Sequence, residues 1–459
     1  MKNNMTEGNG WRQIIRFSIP LMLGSLLQQL YNTVDGIVVG NFVGESALAA
    51  VGSSTALSMV FLAAAIGFGN GAGIMISQYY GAHMEKDLKL GCSTSMIMMI
   101  SLGAALSLLG ALFSRVLCDS FMKIIDPVVL EYSIDYFRIF SLGLVFVFAY
   151  NIIASILRAI GDSKATLYFL LVSAVINVVL DLLFVVVFHW GVVGVAVATV
   201  IAEGVSALVS LIYMIKKYPM FRFKKGEFRF DREKCRVTLR LGIPTTLQQM
   251  VVSLGNVFIQ RLVNSFGEIT MSAYTVGLRV ESYIAVPIMA FNVGVATFTG
   301  QNIGAGKPER VRAAVTRIMG VVFLISAAVA AVAFAFAEPL SRLFGVSGET
   351  LKQAIEHIRF LSIFFPFFSV NMIIGGVLQG SGDVIFSTLR TLLSLTTRVV
   401  GAYFMVYALG LGYASTWQAT PIGWGLILFI SIPRYLGKKW ENKGIVKLSD
   451  NMGGESFDE

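Results

Sequence analysis

Apolar runs long enough to cross a bilayer recur about twelve times along this chain, and that recurrence decides its fold class. Hydrocarbon about 30 Å thick requires about 20 mostly apolar residues in helical form. Runs of that kind fall at roughly 14–40, 47–79, 91–113, 136–157, 164–188, 192–215, 238–263, 270–300, 315–337, 354–378, 384–409 and 412–433. Lipid offers the backbone no hydrogen-bond partner, so spans of this length must be helices. The expectation is an all-α polytopic membrane protein of about twelve transmembrane helices. Composition agrees: 56% of residues are apolar and 14% charged, against about 25% charged in soluble domains. A water-soluble protein built from these residues would expose large apolar patches. The second and eighth runs are long, and Gly67, Gly69, Gly71 and Gly73 in the second predict tilt or a kink.

The net charge of +9 does not indicate nucleic acid, because the basic residues sit in short connections between apolar runs. They collect on one side: Lys2, Arg12 and Arg16, then Lys86 and Lys89, Arg158 and Lys164, the stretch from Lys216 to Arg240, Lys307 to Arg317, Arg390, and the basic tail from Arg434. The positive-inside rule then makes both termini cytoplasmic. No removable signal peptide is expected, since the first apolar run is already a full span. The expected organisation is an N-terminal six-helix lobe (1–215), a cytoplasmic basic linker (216–235), a C-terminal six-helix lobe (236–435) and a tail (436–459) ending acidic and glycine-rich. The linker reads as an orienting, domain-joining loop, with a lipid-head-group patch as the alternative. The tail reads as disordered. Cys92, Cys118 and Cys235, and His83, His189 and His357, are scattered, which excludes a disulfide framework and argues against a metal enzyme. No nucleophile–base constellation for a membrane enzyme is seen either.

The second half repeats the first. Ile19-Pro20 returns as Ile243-Pro244, Asn41-x-x-Gly44-Glu45 as Asn264-x-x-Gly267-Glu268, and Gln78-x-x-Gly81-Ala82 as Gln301-x-x-Gly304-Ala305. Asp135-x-x-Arg138 returns as Glu356-x-x-Arg359, and the loop ending Gly161-Asp162 as the loop ending Gly382-Asp383. Six spans per half is an even number, so both halves insert with the same orientation. The repeat is parallel, and two pseudo-symmetric lobes enclosing a cavity are the geometry of a secondary transporter.

Acidic groups at membrane depth cost about 2.5–3.5 kcal/mol on insertion scales and require a reason. Asp35 in the first span and Asp181 in the fifth are two such groups. Gln28, Tyr31 and Asp35 share one helix face, as do Ser173, Asn177 and Asp181. Asn151 in the fourth span and Thr199 in the sixth could complete a polar pocket. Burial disfavours the charged carboxylate, so either Asp could take up a proton, or the same oxygens with Asn177 could hold Na⁺. The bland alternative is a satisfied hydrogen-bond pair that locks helices together. The C-terminal lobe differs: Gln249, Ser253, Asn256 and Gln260 form a stripe, and Glu281 has Arg261, Arg279 and Arg398 as candidate partners in a neutralised ion pair, with Asn371 nearby. Pro20 could serve as a gate or simply as a helix-start proline.

The run Tyr31-Asn32-Thr33-Val34-Asp35, the two Gly-Asp loops and the parallel repeat resemble the multidrug and toxic compound extrusion (MATE) family from Arg12 to about Arg434. Asn177-Val-Val-Leu-Asp181, with Asp35, is similar to its prokaryotic DinF-like branch. The resemblance implies an antiporter of the cell membrane that exports small organic, often cationic and amphipathic compounds in exchange for H⁺ or Na⁺. It implies a cation-coupling pocket of Asp35, Asp181, Asn177, Tyr31, Asn151 and Thr199, no cofactor, and lipid as the surrounding partner. A monomer suffices for this topology. The rival reading is a flippase for a lipid-linked saccharide, which needs several cations to hold a pyrophosphate.

Overall fold

The computed structural model describes residues 4–121, 124 and 126–446, with the side chains of 32, 35–37, 41, 45 and 56 outside that description. Residues 447–459 of the tail expected to be disordered also lie outside it, whereas the start of that tail is ordered: Trp440 is fully buried and Glu441 pairs with Arg312 at 2.9 Å. The described residues are helical and contain no strand. In chain order the main helices are α1 (Gly10–Phe42), α2 (Glu45–Gly81), α3 (Glu85–Leu112), α4 (Pro127–Leu142), α5 (Leu144–Ala159), α6 (Ser163–Asp181) and α7 (Gly191–Lys217). They continue as α8 (Arg232–Asn264), α9 (Glu268–Gly304), α10 (Pro308–Ala335), α11 (Gly348–Ser381), α12 (Val384–Tyr407) and α13 (Ser415–Leu436).

Eight of these are long and apolar enough to cross a membrane, and α4 with α5 supplies a ninth span bent by 47°. The bend falls at Gly143, where an added Cβ would lie 2.6 Å from Val200 of α7, so the missing side chain lets the broken span approach its neighbour. The three remaining expected spans fall on α1, α8 and α12, of 33, 33 and 24 residues. They are long enough to cross, but polar stripes lower their hydropathy. The fold is the twelve-span, all-α membrane bundle that the apolar runs predict.

The chain divides into two compact units, Leu23–Thr246 and Met1–Met22 with Leu247–Glu459. The seams lie inside α1 and α8, just past Pro20 and Pro244, and both helices run through their prolines unbroken. The basic linker carries the strongest sequence contrast, but packing divides the chain elsewhere.

Within Leu23–Thr246, α2 packs on α3, α4 and α5, and α7 packs on α4, α5 and α6. The glycines of α2 are packing surface. A Cβ at Gly67 would sit 2.4 Å from Thr246 Cα, and one at Gly71 would sit 2.5 Å from the Gly242 nitrogen, so the start of α8 crosses α2 backbone to backbone. Thr245 Oγ1 donates to the Gly67 carbonyl at 2.7 Å at that crossing. The 37-residue α2 is one unbroken helix through those glycines. The linker is tied to this unit as well. Lys234 Nζ lies 2.6 Å from Asp87 and 2.9 Å from Tyr79, Ser93 donates to the Arg229 carbonyl, and Thr94 accepts from the Asp231 nitrogen.

In the other unit, α9 and α10 pack on α11, which also packs on α13, and α13 packs on α12. The segment before α1 is held there: Met5 donates its N–H to Gln301, and Arg310 donates to the carbonyls of Met5, Glu7 and Gly8. The repeated glycines mark equivalent turns. Gly161 and Gly382, at φ 90° and 92°, are left-handed residues after α5 and α11, a conformation that a side chain would strain.

Candidate functional site

Spacing of four puts Ser173, Asn177 and Asp181 on one face of α6. Asn177 and Asp181 are each 1% exposed, so neither meets bulk water. The Asn177 amide approaches Asp181 Oδ2 at 2.7 Å. In the orientation that satisfies an ionised carboxylate, its nitrogen donates to Asp181 and its oxygen accepts from the Thr199 nitrogen of α7 at 3.3 Å. In the opposite orientation the amide nitrogen faces Thr199 Oγ1 at 3.4 Å. Ser173 Oγ donates to the Ala202 carbonyl at 3.4 Å, a further tie between α6 and α7. Immediately after Asp181 the helix widens into a π-helical turn, Leu182–Val187, a local departure that recurs at functional sites.

Thr199, the partner of Asn177, also lines a cavity of about 40 Å³, together with Gln28 and Tyr31 of α1, Ser173 of α6 and Glu203 of α7; neither Asn177 nor Asp181 lines it. A water needs roughly 10–15 Å³ measured this way. The cavity therefore suits a few waters or a small cation and excludes a drug-sized molecule. Gln28, Tyr31, Asn177, Asp181 and Thr199 are thus gathered in one region.

Asn151 is not joined to the pair by a hydrogen bond; its amide donates to Val147 of its own helix at 2.8 Å. Asp35 lies on α1, and its side chain is outside the described residues. Pro20 is buried within α1, in the unit that does not hold this cavity. Glu203 is the residue that sequence reasoning missed. It is a carboxylate inside the sixth apolar run, one turn after Thr199, and that spacing was the available signal.

The polar residues of the other unit separate into distinct groups. Glu281 pairs with His357 (2.6 Å) rather than with the arginines proposed for it, and Arg279 is exposed. Asn256 accepts from Arg398 at 3.3 Å, and Gln260 donates to Asn264 at 2.9 Å. Gln249 is half-buried on α8, its carbonyl accepting from Ser253. Asn371 is buried and accepts from Arg390 through its carbonyl and its Oδ1, and Arg390 also donates to Ser431. Arg390 is therefore interior, within the 384–409 run, and is not one of the orienting loop charges. Among the described residues no group of three His, Cys, Asp or Glu could hold a metal ion; a Na⁺ ion would rely on the amide, carboxylate and hydroxyl oxygens around Asp181.

A duplicated bundle of membrane-spanning helices with buried, paired polar groups in each unit defines a multi-pass membrane transporter. The MatE family model matches residues 20–183 and 244–404, and this chain belongs to that family of multidrug efflux transporters, not to any class of enzyme. The chain is 30% identical to the probable multidrug resistance protein YpnP of Bacillus subtilis, covering 85% of this chain and 87% of that one. It is 29% identical to the probable multidrug resistance protein YoeA of the same organism, over 95% and 96%. A solved MOP superfamily transporter from Pyrococcus furiosus, described as having a binding pocket of reverse polarity that suggests a different function, superposes with a TM-score of 0.90 at 26% identity, over 96% of this chain and 99% of that one.

Proposed function

We propose that this protein is a secondary antiporter of the cell membrane, with cytoplasmic termini, that exports small organic, often cationic and amphipathic compounds in exchange for H⁺ or Na⁺. The observation that carries the reading is the contact between Asn177 and Asp181, excluded from water and joined through Thr199 to a cavity of ion size. Two protonation states fit one geometry. With a proton on Asp181, Oδ2–H donates to the Asn177 oxygen. When the proton leaves, the amide turns, its nitrogen donates to the carboxylate, and its oxygen faces the Thr199 nitrogen; with Na⁺ in place of the proton, the amide keeps its oxygen towards Asp181 and the ion. Asp35, on the same helix as Gln28 and Tyr31, is the second carboxylate assigned to the site from sequence.

Cation occupancy and substrate binding favour different arrangements, and the coupling is reciprocal: the ion weakens substrate binding as much as the substrate weakens ion binding. The test is reconstitution into vesicles with ΔpH and ΔNa⁺ imposed separately, following efflux of a fluorescent organic cation. Efflux that follows one gradient and is lost in Asp181→Asn is expected. Efflux indifferent to both gradients overturns the reading.

One observation favours the flippase alternative. A groove of about 860 Å³ between α8 and α12 is lined by Phe258, Arg261, Tyr403, Phe404 and Tyr407. It offers a single guanidinium, short of the several cations that a pyrophosphate requires. Binding of a lipid-linked pyrophosphate, lost in Arg261→Gln, would raise that reading above antiport.

A further inference from the structure

Residues 216–240, between α7 and the first turns of α8, hold ten basic side chains against three acidic ones. Two of the acids are engaged within the unit: Glu227 with Lys89 at 3.3 Å, and Asp231 as acceptor from the Lys234 nitrogen at 2.8 Å. Arg229, Arg232, Arg236 and Arg240 are exposed, and none of them forms an ion pair among the described residues. The last three follow the helical period. They stand at i, i+4 and i+8 on one face of α8, while Lys234, Thr238, Leu241 and Thr245 are buried on the opposite face. The exposed face continues as Ile243 and Leu247, 46% and 50% exposed. Exposed aliphatic side chains on a membrane-spanning helix meet hydrocarbon. The face therefore passes from cations to lipid tails within about a turn of Arg240, which sets the arginines at the depth of the lipid head groups.

Two aromatic side chains extend this surface. Phe228 and Phe230 are 46% and 52% exposed, between and beside the cations rather than in a core. Their backbone is fixed. The Arg229 carbonyl accepts from Ser93 of α3 at 2.9 Å, and the Asp231 N–H donates to Thr94 of α3 at 3.0 Å, so both neighbours of Phe230 are anchored. Phe223 packs edge-on against Phe228 at 5.2 Å. A segment already held in place loses little conformational freedom when a ligand settles on it.

We propose that the linker and the start of α8 form a binding surface for anionic phospholipid in the leaflet on that side of the membrane. The guanidinium groups of Arg229, Arg232, Arg236 and Arg240 take the head-group phosphates through charge-assisted hydrogen bonds. Phe228 and Phe230 enter the boundary between head groups and acyl chains, as aromatic side chains flanked by cations do at a membrane surface. Charge complementarity alone would accept a free phosphate. The two phenyl rings and the hydrocarbon-facing continuation at Ile243 select the lipid, because a free ion leaves that apolar surface in water. The surface is separate from the Asp181 region and is independent of which ion or substrate the transporter carries.

Phe230→Trp in the full-length protein places an indole on this surface, and the parent protein supplies the background from the five native tryptophans. The variant goes into phosphatidylcholine nanodiscs that contain equal fractions of either brominated phosphatidylglycerol or brominated phosphatidylcholine. Each basic side chain near the surface favours an anionic lipid by about fivefold. Quenching by the brominated phosphatidylglycerol should therefore exceed quenching by the brominated phosphatidylcholine severalfold. The preference should fade at about 1 M salt, where screening acts over about 3 Å, and in a protein that also carries Arg232→Gln, Arg236→Gln and Arg240→Gln. Inorganic phosphate at the concentration of the lipid phosphate should leave it unchanged. Equal quenching by the two lipids, or none by either, overturns the proposal even if the triple arginine variant does not fold. A triple variant as selective as its parent overturns it, as does displacement of the lipid by inorganic phosphate.

Discussion

Asp162 and Asp383 stand in equivalent loops of the two units, and each is held by the cation that ends the last helix of its own half. Lys217 Nζ lies 2.9 Å from Asp162, and Arg434 Nη2 lies 2.8 Å from Asp383. In the first case Tyr213 and Tyr218 also donate to the carboxylate, at 2.9 and 2.7 Å, and the Ala165 N–H of α6 is capped by it. The repeat is thus conserved as a function of the loop, a carboxylate that fastens the last helix of each half, while the partner chemistry has drifted from lysine with two tyrosines to arginine.

That fastening predicts a pH dependence. Burial raises the Asp162 carboxyl, but hydrogen bonds from Tyr218 and Lys217, the Lys217 charge and the Tyr213 bond outweigh it and hold the group below the usual carboxylate range. A depressed value means stability that is present above about pH 4 and lost as the pH falls through the folded value. Asp162→Asn should cost about 1–3 kcal/mol at pH 7, the lower part reflecting the half-exposed Lys217. Thermal melting in detergent at pH 7 and at pH 3 checks this, with the gap between variant and wild type closing at the acid end.

Glu203 shares its cavity with Thr199, Gln28 and Tyr31. A carboxylate about 8–16 Å from a bound cation contributes about 1–2 kcal/mol at an effective dielectric near 20. Glu203→Gln should therefore weaken the apparent affinity for the coupling ion by about tenfold while leaving the maximal efflux rate nearly unchanged. Efflux rates measured across a range of pH or Na⁺ concentration decide it, and an unchanged ion dependence would remove Glu203 from the site.

The crossing of α2 and α8 predicts a steric effect. Gly67→Ala would drive a methyl group to 2.4 Å from backbone at Thr246, where no flexible side chain can yield. Overpacking of this kind costs about 1–3 kcal/mol. Gly52, with nothing within 4 Å of its added Cβ, is the control. Melting should show Gly67→Ala well below Gly52→Ala, and equal stability would mean that the crossing relaxes freely.

Which of these features could be read without coordinates follows from how local each one is. The spans, the repeat and the pairing of Asn177 with Asp181 depend on periodicity within a few turns, so sequence carries them. Glu203 was legible in the same way, one turn from Thr199, but was passed over inside an otherwise apolar run. The partnership of Glu281 with His357 was not legible, because the partners lie on different helices and three arginines offered a simpler pairing. The seams inside α1 and α8 were hidden for a similar reason: charge marks the linker, whereas packing of Gly67 and Gly71 against Thr246 and Gly242 settles where the unit ends. Arg390 misled because it lies near the start of the 384–409 run, close to the Gly382-Asp383 loop, and passes for a loop charge, while its guanidinium is occupied by Asn371 and Ser431.

The central claim is that Asp181 exchanges a small cation when substrate binds. The most direct measurement counts the H⁺ or Na⁺ ions released from purified protein on adding a saturating organic cation, in wild type and in Asp181→Asn. The account predicts that the variant releases one ion fewer per bound substrate. Equal release from both proteins would contradict it.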